Sequence, residues 1–562
     1  MSLDPRTLLA GRRIFVTGAS GFLGKVWLAH VLSDLPETRL TLLLRPGRGQ
    51  GSAGERAWKR LADLLQTSPA FRALHEKLGA DELARRVENQ IEVEAGDVGL
   101  PGLGLSQPPG PLDLVLHLAG LTDLDPDLEP ALAINVDGAL GALELARASG
   151  AQLIHVSTAY VAGRRRGVVA ERIQGEAPAA PAGAVFDPAR EREGLSALLE
   201  AAQREVADPL VQAELARRAT AARGRLGLGA DAQQRLVNAE ERSWVAARAT
   251  DEAAGRARAW GWPNLYTETK ALAEALLDEQ RGEVALTVVR PTIVEAAWRD
   301  PFPGWKEGLH TSAPLTYALT HGPLRALPAR EDLVLDVVPV DQVARGLSLA
   351  CAAALDDPPS TPRVLHLGSS ASNPFNLRQV IELTALGHRR MQGRGQGPFR
   401  WRELLALDPS AAGDALYEAQ IPLVRRLARG GQRALRELSE IVGEGRLSEG
   451  LRRGSRRAGR AARDLERVEE VVERFRPFVR EHEQVFASDE IEALSARLVP
   501  SARACFAWNV PDLDWTHYWT RIHLPGLQTW IYPRIEGRCP PPEPRRSLVL
   551  KLGARTSSNQ RV

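Results

Sequence analysis

Residues 13–28 read RIFVTGASGFLGKVWL. An apolar run ends at Gly18, Gly21 and Gly24, and the pattern of a helix begins at once. Glycine permits a tight turn and close backbone approach, and a helix start presents free amides and a positive dipole end to a pyrophosphate. Thr17, Ser20, Phe22 and Leu23 complete this candidate phosphate loop. A ligand-free glycine turn is the competing reading, and the flanking strand and helix weigh against it.

Outward from the loop, short apolar runs alternate with helical patterns through LTLLLR, QIEVEAGD, LDLVLHLAG and AQLIHVSTAY. That alternation predicts an α/β fold: a doubly wound, Rossmann-type parallel sheet covered on both faces. About residues 164–262 strand signal gives way to Ala, Arg, Glu and Leu, which reads as a helical insertion. Strand-like runs return in EVALTVVRPTIV, LVLDVVPVDQV and PRVLHLGSS. The chain therefore divides into a cofactor-binding domain over 1–375, a mostly helical C-terminal domain over 376–535 and a flexible tail over 536–562. Within the second domain, residues 425–463 hold twelve Arg against four Glu, a solvated face or a surface for anions.

Composition narrows the class. With 72 basic and 70 acidic side chains the net charge is +2, which gives no reason to expect nucleic acid as a partner. Cys351, Cys505 and Cys539 lack metal-ligand spacing and are odd in number, so neither a zinc site nor a disulfide framework is expected. The first residues lack a secretory pattern and no eighteen apolar residues run together. A cytoplasmic location is the expectation, with peripheral contact at a membrane surface left open.

Candidate site residues follow the strand ends. After the second strand comes Arg45, then Arg48, where an NAD-binding fold usually carries an acid; a guanidinium suits a 2′-phosphate, so NADPH is expected, with a solvated loop arginine as the competing reading. Asp97 and Val98 follow the third strand at the adenine edge, and Ala119 and Gly120 follow the fourth. Asn135 is placed to fix a helix or a water near a lysine, or else to cap. In GWPNLYTETK, Tyr266 and Lys270 lie one helical turn apart. Hydride transfer to a carbonyl needs a proton donor, a cation that eases its ionisation and a further hydroxyl; Tyr266, Lys270 and either Thr158 or Ser157 supply them, and Lys270 can also hold the nicotinamide ribose.

The glycine spacing resembles that of short-chain dehydrogenase/reductases. Together with INVDGA, VSTAYVAGRRRG, GWPNLYTETKALAE, VRPTIVEAAWRDPFPGW, VVPVDQV, FRPFVREHEQVF and LDWTHYWTRIHLPGL, it makes the chain resemble fatty acyl-CoA reductases from about residue 10 to 532. The resemblance implies Tyr266 and Lys270 as the catalytic pair, Thr158 ahead of Ser157, and Pro291, Thr292 and Ile293 near the nicotinamide. It implies reduction of a long-chain acyl-CoA or acyl carrier protein thioester by NADPH, through an aldehyde to a fatty alcohol. Release of the aldehyde, another reductase or epimerase on the same fold, and a silent NADP-binding scaffold are the alternatives. The stretch LAGLTDLDPD departs from the family, which bears on the inner substrate wall. Trp260, Trp262 and Trp305 are candidates for an acyl tunnel, or ordinary core.

Overall fold

The computed structural model describes residues 2–180, 184–309, 312–321, 326–392, 410–412, 472–481, 483–542 and 544–550, with isolated helical residues between 433 and 455. The arginine-rich stretch 425–463 lies almost entirely outside the described residues. Seven parallel strands form the central sheet: β1 Arg13–Thr17, β2 Arg39–Leu44, β3 Ile91–Ala95, β4 Leu114–His117, β5 Gln152–Val156, β6 Leu286–Pro291 and β7 Arg363–Leu367. Their spatial order is β3-β2-β1-β4-β5-β6-β7, the doubly wound arrangement expected from the apolar runs. The order reverses between β1 and β4, and a crevice opens there at the carboxyl ends of the strands.

Helix α1 (Phe22–Asp34) follows the glycine loop and buries Val26, Trp27, Leu28 and Val31 against one sheet face. α2 (Ala53–Thr67) starts in a Ser52/Glu55 capping box and lies beyond β2. The opposite face is covered by α3 (Gly138–Ser149) and the helix that carries Tyr266, as shown by the shared cluster of Ala142, Leu143, Ala273 and Leu277 with the strand residues Leu153 and Val288. The insertion is helical, with α4 (Pro188–Glu205), α5 (Pro209–Leu226) and α6 (Gln233–Ala259). Leu195, Ala202, Ala249 and Ala253 pack on Leu265, Leu272 and Leu276 of α7 (Leu265–Gln280). The insertion thus braces α7.

Two parts of the chain sit differently from the sequence reading. Residues 491–510, expected in a separate C-terminal domain, put Ile491, Leu494, Ala502 and Phe506 into the same core as α1 and the sheet. Gln484–Phe486 pairs in parallel with Gly167–Val169 at the start of the insertion. An amphipathic spacing reveals that a helix has an apolar face, not which distant surface covers it. In the expected flexible tail, Leu548 is buried and Arg545 bonds Asp63 and Gln66 of α2. Basic, proline-rich composition hides this docking because it depends on partners almost five hundred positions away. A second cluster, with Phe375, Trp515, Tyr518, Trp519 and Leu524, joins the C-terminal aromatic run to Ala313, Leu315, Leu333 and Val337. No helix among the described residues is long and apolar enough to cross a membrane.

Candidate active site

A cavity of about 440 Å³ opens at the carboxyl edge of the sheet. Its first wall is the glycine loop, where Gly18, Ser20, Gly21, Phe22, Leu23 and Gly24 all reach the cavity. Gly18 has φ +76°, and a side chain there would place a Cβ 2.6 Å from the Ala119 amide nitrogen. A Cβ at Gly24 would strike the Gly18 carbonyl oxygen. α1 begins at Gly21 with no side-chain cap, so its amides face the cavity free of a capping oxygen. Loop, uncapped helix start and the bare backbone of Ala119 and Gly120 fit a dinucleotide pyrophosphate.

The second wall carries the candidate chemistry. Asn264 caps α7, its Oδ1 accepting the Thr267 amide at 3.0 Å. Tyr266 and Lys270 extend from the first turns into the cavity beside Ser157 and Thr158 at the end of β5. Burial pushes the Tyr266 phenol up to about 12, and its hydrogen bond with Thr158 opposes that rise. The Thr158 hydroxyl also accepts the Tyr160 amide at 3.3 Å, whereas the buried Ser157 Oγ has no hydrogen-bond partner among the described residues. Structure thereby separates two hydroxyls that spacing left equivalent: Thr158 bonds the phenol, and Ser157 does not bond any described residue. Lys270 donates to the Val156 carbonyl at 2.7 Å and lies 3.2 Å from His155 Nε2. Burial lowers its pKa to about 8, with the Glu274 charge opposing.

Pro291, Thr292 and Ile293 line the cavity after β6. Six other candidates lie outside its lining. The Thr17 hydroxyl turns beneath the floor to His117 Nδ1, 3.0 Å away. Asn135 accepts the Leu121 amide at 2.8 Å and donates to Thr269 at 3.1 Å, tying α7 to the loop after β4 rather than touching Lys270. Asp97 accepts the Gly99 amide and shapes the turn that contains Val98. Arg45 and Arg48 are exposed beyond β2.

Several residues in and around the cavity escaped sequence reasoning. Arg60 of α2 donates to the Arg45 carbonyl at 3.1 Å, and the Arg45 charge adds to the burial that lowers its pKa. This creates a two-guanidinium corner at the end of β2. Lys306 lines the cavity itself; it pairs with buried Glu295 at 2.9 Å and stands 5.0 Å from the Phe22 ring centroid. The apolar end is formed by Leu124, Tyr160, Phe475 and Phe478. Phe478 meets Tyr160 edge-on at 4.9 Å. Arg474 lies 3.9 Å from Asp123 and 3.8 Å from Asp125, which holds this segment over the loop after β4. The three tryptophans do not line the cavity. Trp262 donates to the Val161 carbonyl, Trp260 to Glu191, and Trp305 packs on Phe22, all as core.

Residues 16–347 match the family model described as male sterility protein, an NAD-binding domain. The chain is 30% identical over 395 residues to the alcohol-forming fatty acyl-CoA reductase of Simmondsia chinensis, covering 67% of this chain and 70% of that one. This chain belongs to the fatty acyl-CoA reductase family. Fatty acyl-CoA reductase 1 of Arabidopsis thaliana is 27% identical over 538 residues, covering 93% of this chain and 98% of the relative. The terminal R domain of the myxalamid PKS-NRPS pathway is a solved structure 18% identical with a TM-score of 0.48, covering 90% of each chain. Membership in this family makes the protein an oxidoreductase with a nicotinamide dinucleotide site.

Proposed function

We propose that the protein reduces long-chain acyl-CoA thioesters with NADPH, through the aldehyde, to the primary alcohol. The observation that carries this reading is one cavity in which a glycine cradle, the Thr158–Tyr266–Lys270 group and an apolar end walled by Phe475 and Phe478 meet. When bound, the dinucleotide supplies hydride. Tyr266 and Ser157 are placed to donate hydrogen bonds to an oxygen that becomes negative as the carbonyl is reduced. Lys270 favours loss of the phenol proton through its charge, and Thr158 steadies the phenolate by hydrogen bonding. Collapse of the hemithioacetal releases the thiol and leaves the aldehyde at the same hydroxyls. Tyr266 must regain its proton before the second reduction, so each acyl chain consumes two NADPH and two protons. Leu124, Tyr160 and the two phenylalanines shield the chain near the carbonyl, at roughly 0.8 kcal/mol per buried methylene. Arg45 and Arg60 favour the 2′-phosphate of NADPH over NADH.

The test is incubation of purified protein with acyl-CoAs of graded length and either NADPH or NADH, with products identified by mass. Two NADPH consumed per alcohol formed is the expected result. One per aldehyde restricts the reading to the first reduction, faster turnover with NADH removes the role of the arginine corner, and absence of product overturns the proposal.

A further inference from the structure

Beneath the cavity floor, a polar row crosses the sheet where apolar residues would ordinarily pack. Strand register sets Thr17 of β1 beside His117 of β4, and His117 beside His155 of β5. All three are fully buried. The Thr17 hydroxyl accepts the Ala119 amide at 3.2 Å, which leaves its proton for His117 Nδ1 at 3.0 Å. The two imidazoles stack with centroids 5.4 Å apart and planes 15° from parallel. His155 then presents Nε2 to the Lys270 ammonium at 3.2 Å.

The protonation pattern follows from what each group can do. An ammonium only donates, so His155 Nε2 accepts and the neutral ring carries its proton on Nδ1. Burial drives the His117 pKa down to about 3 and that of His155 well below its usual value, with the Lys270 charge adding to both. Both rings therefore stay neutral at physiological pH. His155 Nδ1 and His117 Nε2 have no hydrogen-bond partner among the described residues, and unpaired buried polar atoms cost stability. Leucine or valine would fill these positions at lower cost, so packing alone does not account for the pair.

We infer that Thr17, His117 and His155 are positioning residues for Lys270: the row holds the ammonium at the cavity floor, keeps it protonated and ties it to the strand that ends in the phosphate loop. This rests on the reading of Lys270 as the cation that assists Tyr266. Around the lysine, His155 faces it from β5, His117 lies behind on β4, and Tyr266 and Glu274 lie one turn away along α7. The Glu274 carboxylate is held by Arg290 of β6, at 3.0 Å from Nε, and Arg290 in turn meets His366 of β7 at 3.2 Å. Glu274 is thus already neutralised. The nearest acceptors for the ammonium are the Val156 carbonyl and His155.

With Lys270 near 8, activity should fall as pH rises through that value because the lysine loses its proton. Removing the neutral acceptor favours the uncharged amine. The experiment compares His155→Leu and His155→Gln in the full-length protein, with His155→Asn as a polar variant whose amide is too short to reach. Two pH profiles are recorded: kcat/KM for acyl-CoA reduction, and the NADPH dissociation constant by nicotinamide fluorescence. The Leu and Asn variants should move the alkaline limb down by about one pH unit, lowering kcat with KM for acyl-CoA unchanged. Gln, whose amide oxygen reaches about as far as Nε2, should restore the limb. An unmoved limb in Leu or Asn, or a Gln variant that behaves as Leu does, overturns the assignment. If wild-type protein turns over no thioester, the proposed substrate fails, and the NADPH-binding profile still decides the histidine row: with Lys270 holding the nicotinamide ribose, its alkaline limb should move down in Leu and Asn and not in Gln, and an unmoved limb overturns the assignment.

Discussion

Two helices begin at the same cavity and are built in opposite ways. α1 starts at Gly21 without a side-chain cap, and its backbone is what the loop offers. α7 starts at Asn264, whose side chain occupies the Thr267 amide, and Tyr266 and Lys270 are what that helix offers. An open start suits an anion, which needs amides and the dipole end. A closed start suits side-chain chemistry, because the cap holds the first turn in register while the phenol and ammonium are presented four residues apart. On the proposed function, the difference assigns pyrophosphate binding to one helix and bond-making to the other.

The largest effect that tests this division belongs to α7. Tyr266→Phe should lower kcat about a thousandfold, within the range of a lost general acid, with the NADPH dissociation constant changed less than threefold. Stopped-flow absorbance of NADPH oxidation and fluorescence titration measure the two. A parallel loss of binding would break the comparison. Next comes the α1 side, where Gly18→Ala adds a Cβ at φ +76° against the Ala119 backbone. NADPH affinity should fall about a hundredfold because the loop must shift away from the helix start. Circular dichroism melting separates that loss from unfolding, and unchanged affinity in a folded variant would remove the loop from cofactor binding.

Contrasts of the same kind decide what was legible beforehand. The glycine loop, the Tyr266–Lys270 pair and VSTAY are local patterns whose chemistry depends on near neighbours, and the structure brings all three to one cavity. The spacing between Thr158 and Tyr266 did not reveal which of Ser157 and Thr158 bonds the phenol, since that depends on the turn after β5. His117 and His155 were invisible as a pair because their contact is a cross-strand register between β4 and β5. Phe475 and Phe478 were equally hidden as cavity walls: they join the cluster of Tyr160 from more than three hundred positions away. Arg60 sits mid-helix, and nothing in its own segment marks it as the companion of Arg45. Period and spacing expose residues that cooperate within an element, whereas walls made by two elements require the packing itself.

The smallest predicted effect sharpens the comparison from the capped side. Asn264 accepts the Thr267 amide at 3.0 Å and, through its own carbonyl, the Thr267 hydroxyl at 3.0 Å. Asn264→Ala removes the side-chain cap and keeps the carbonyl bond, so it should cost about 1 kcal/mol of stability in denaturant unfolding. Tyr266 lies only two residues inside the helix, so a looser first turn should reduce kcat severalfold. The α1 start is untouched, so NADPH affinity should stay within twofold of wild type. If affinity instead fell as far as in Gly18→Ala, the two helix starts would be acting as a single binding surface. If kcat fell while affinity held, the cap would be shown to serve the phenol's position, as the closed helix start requires.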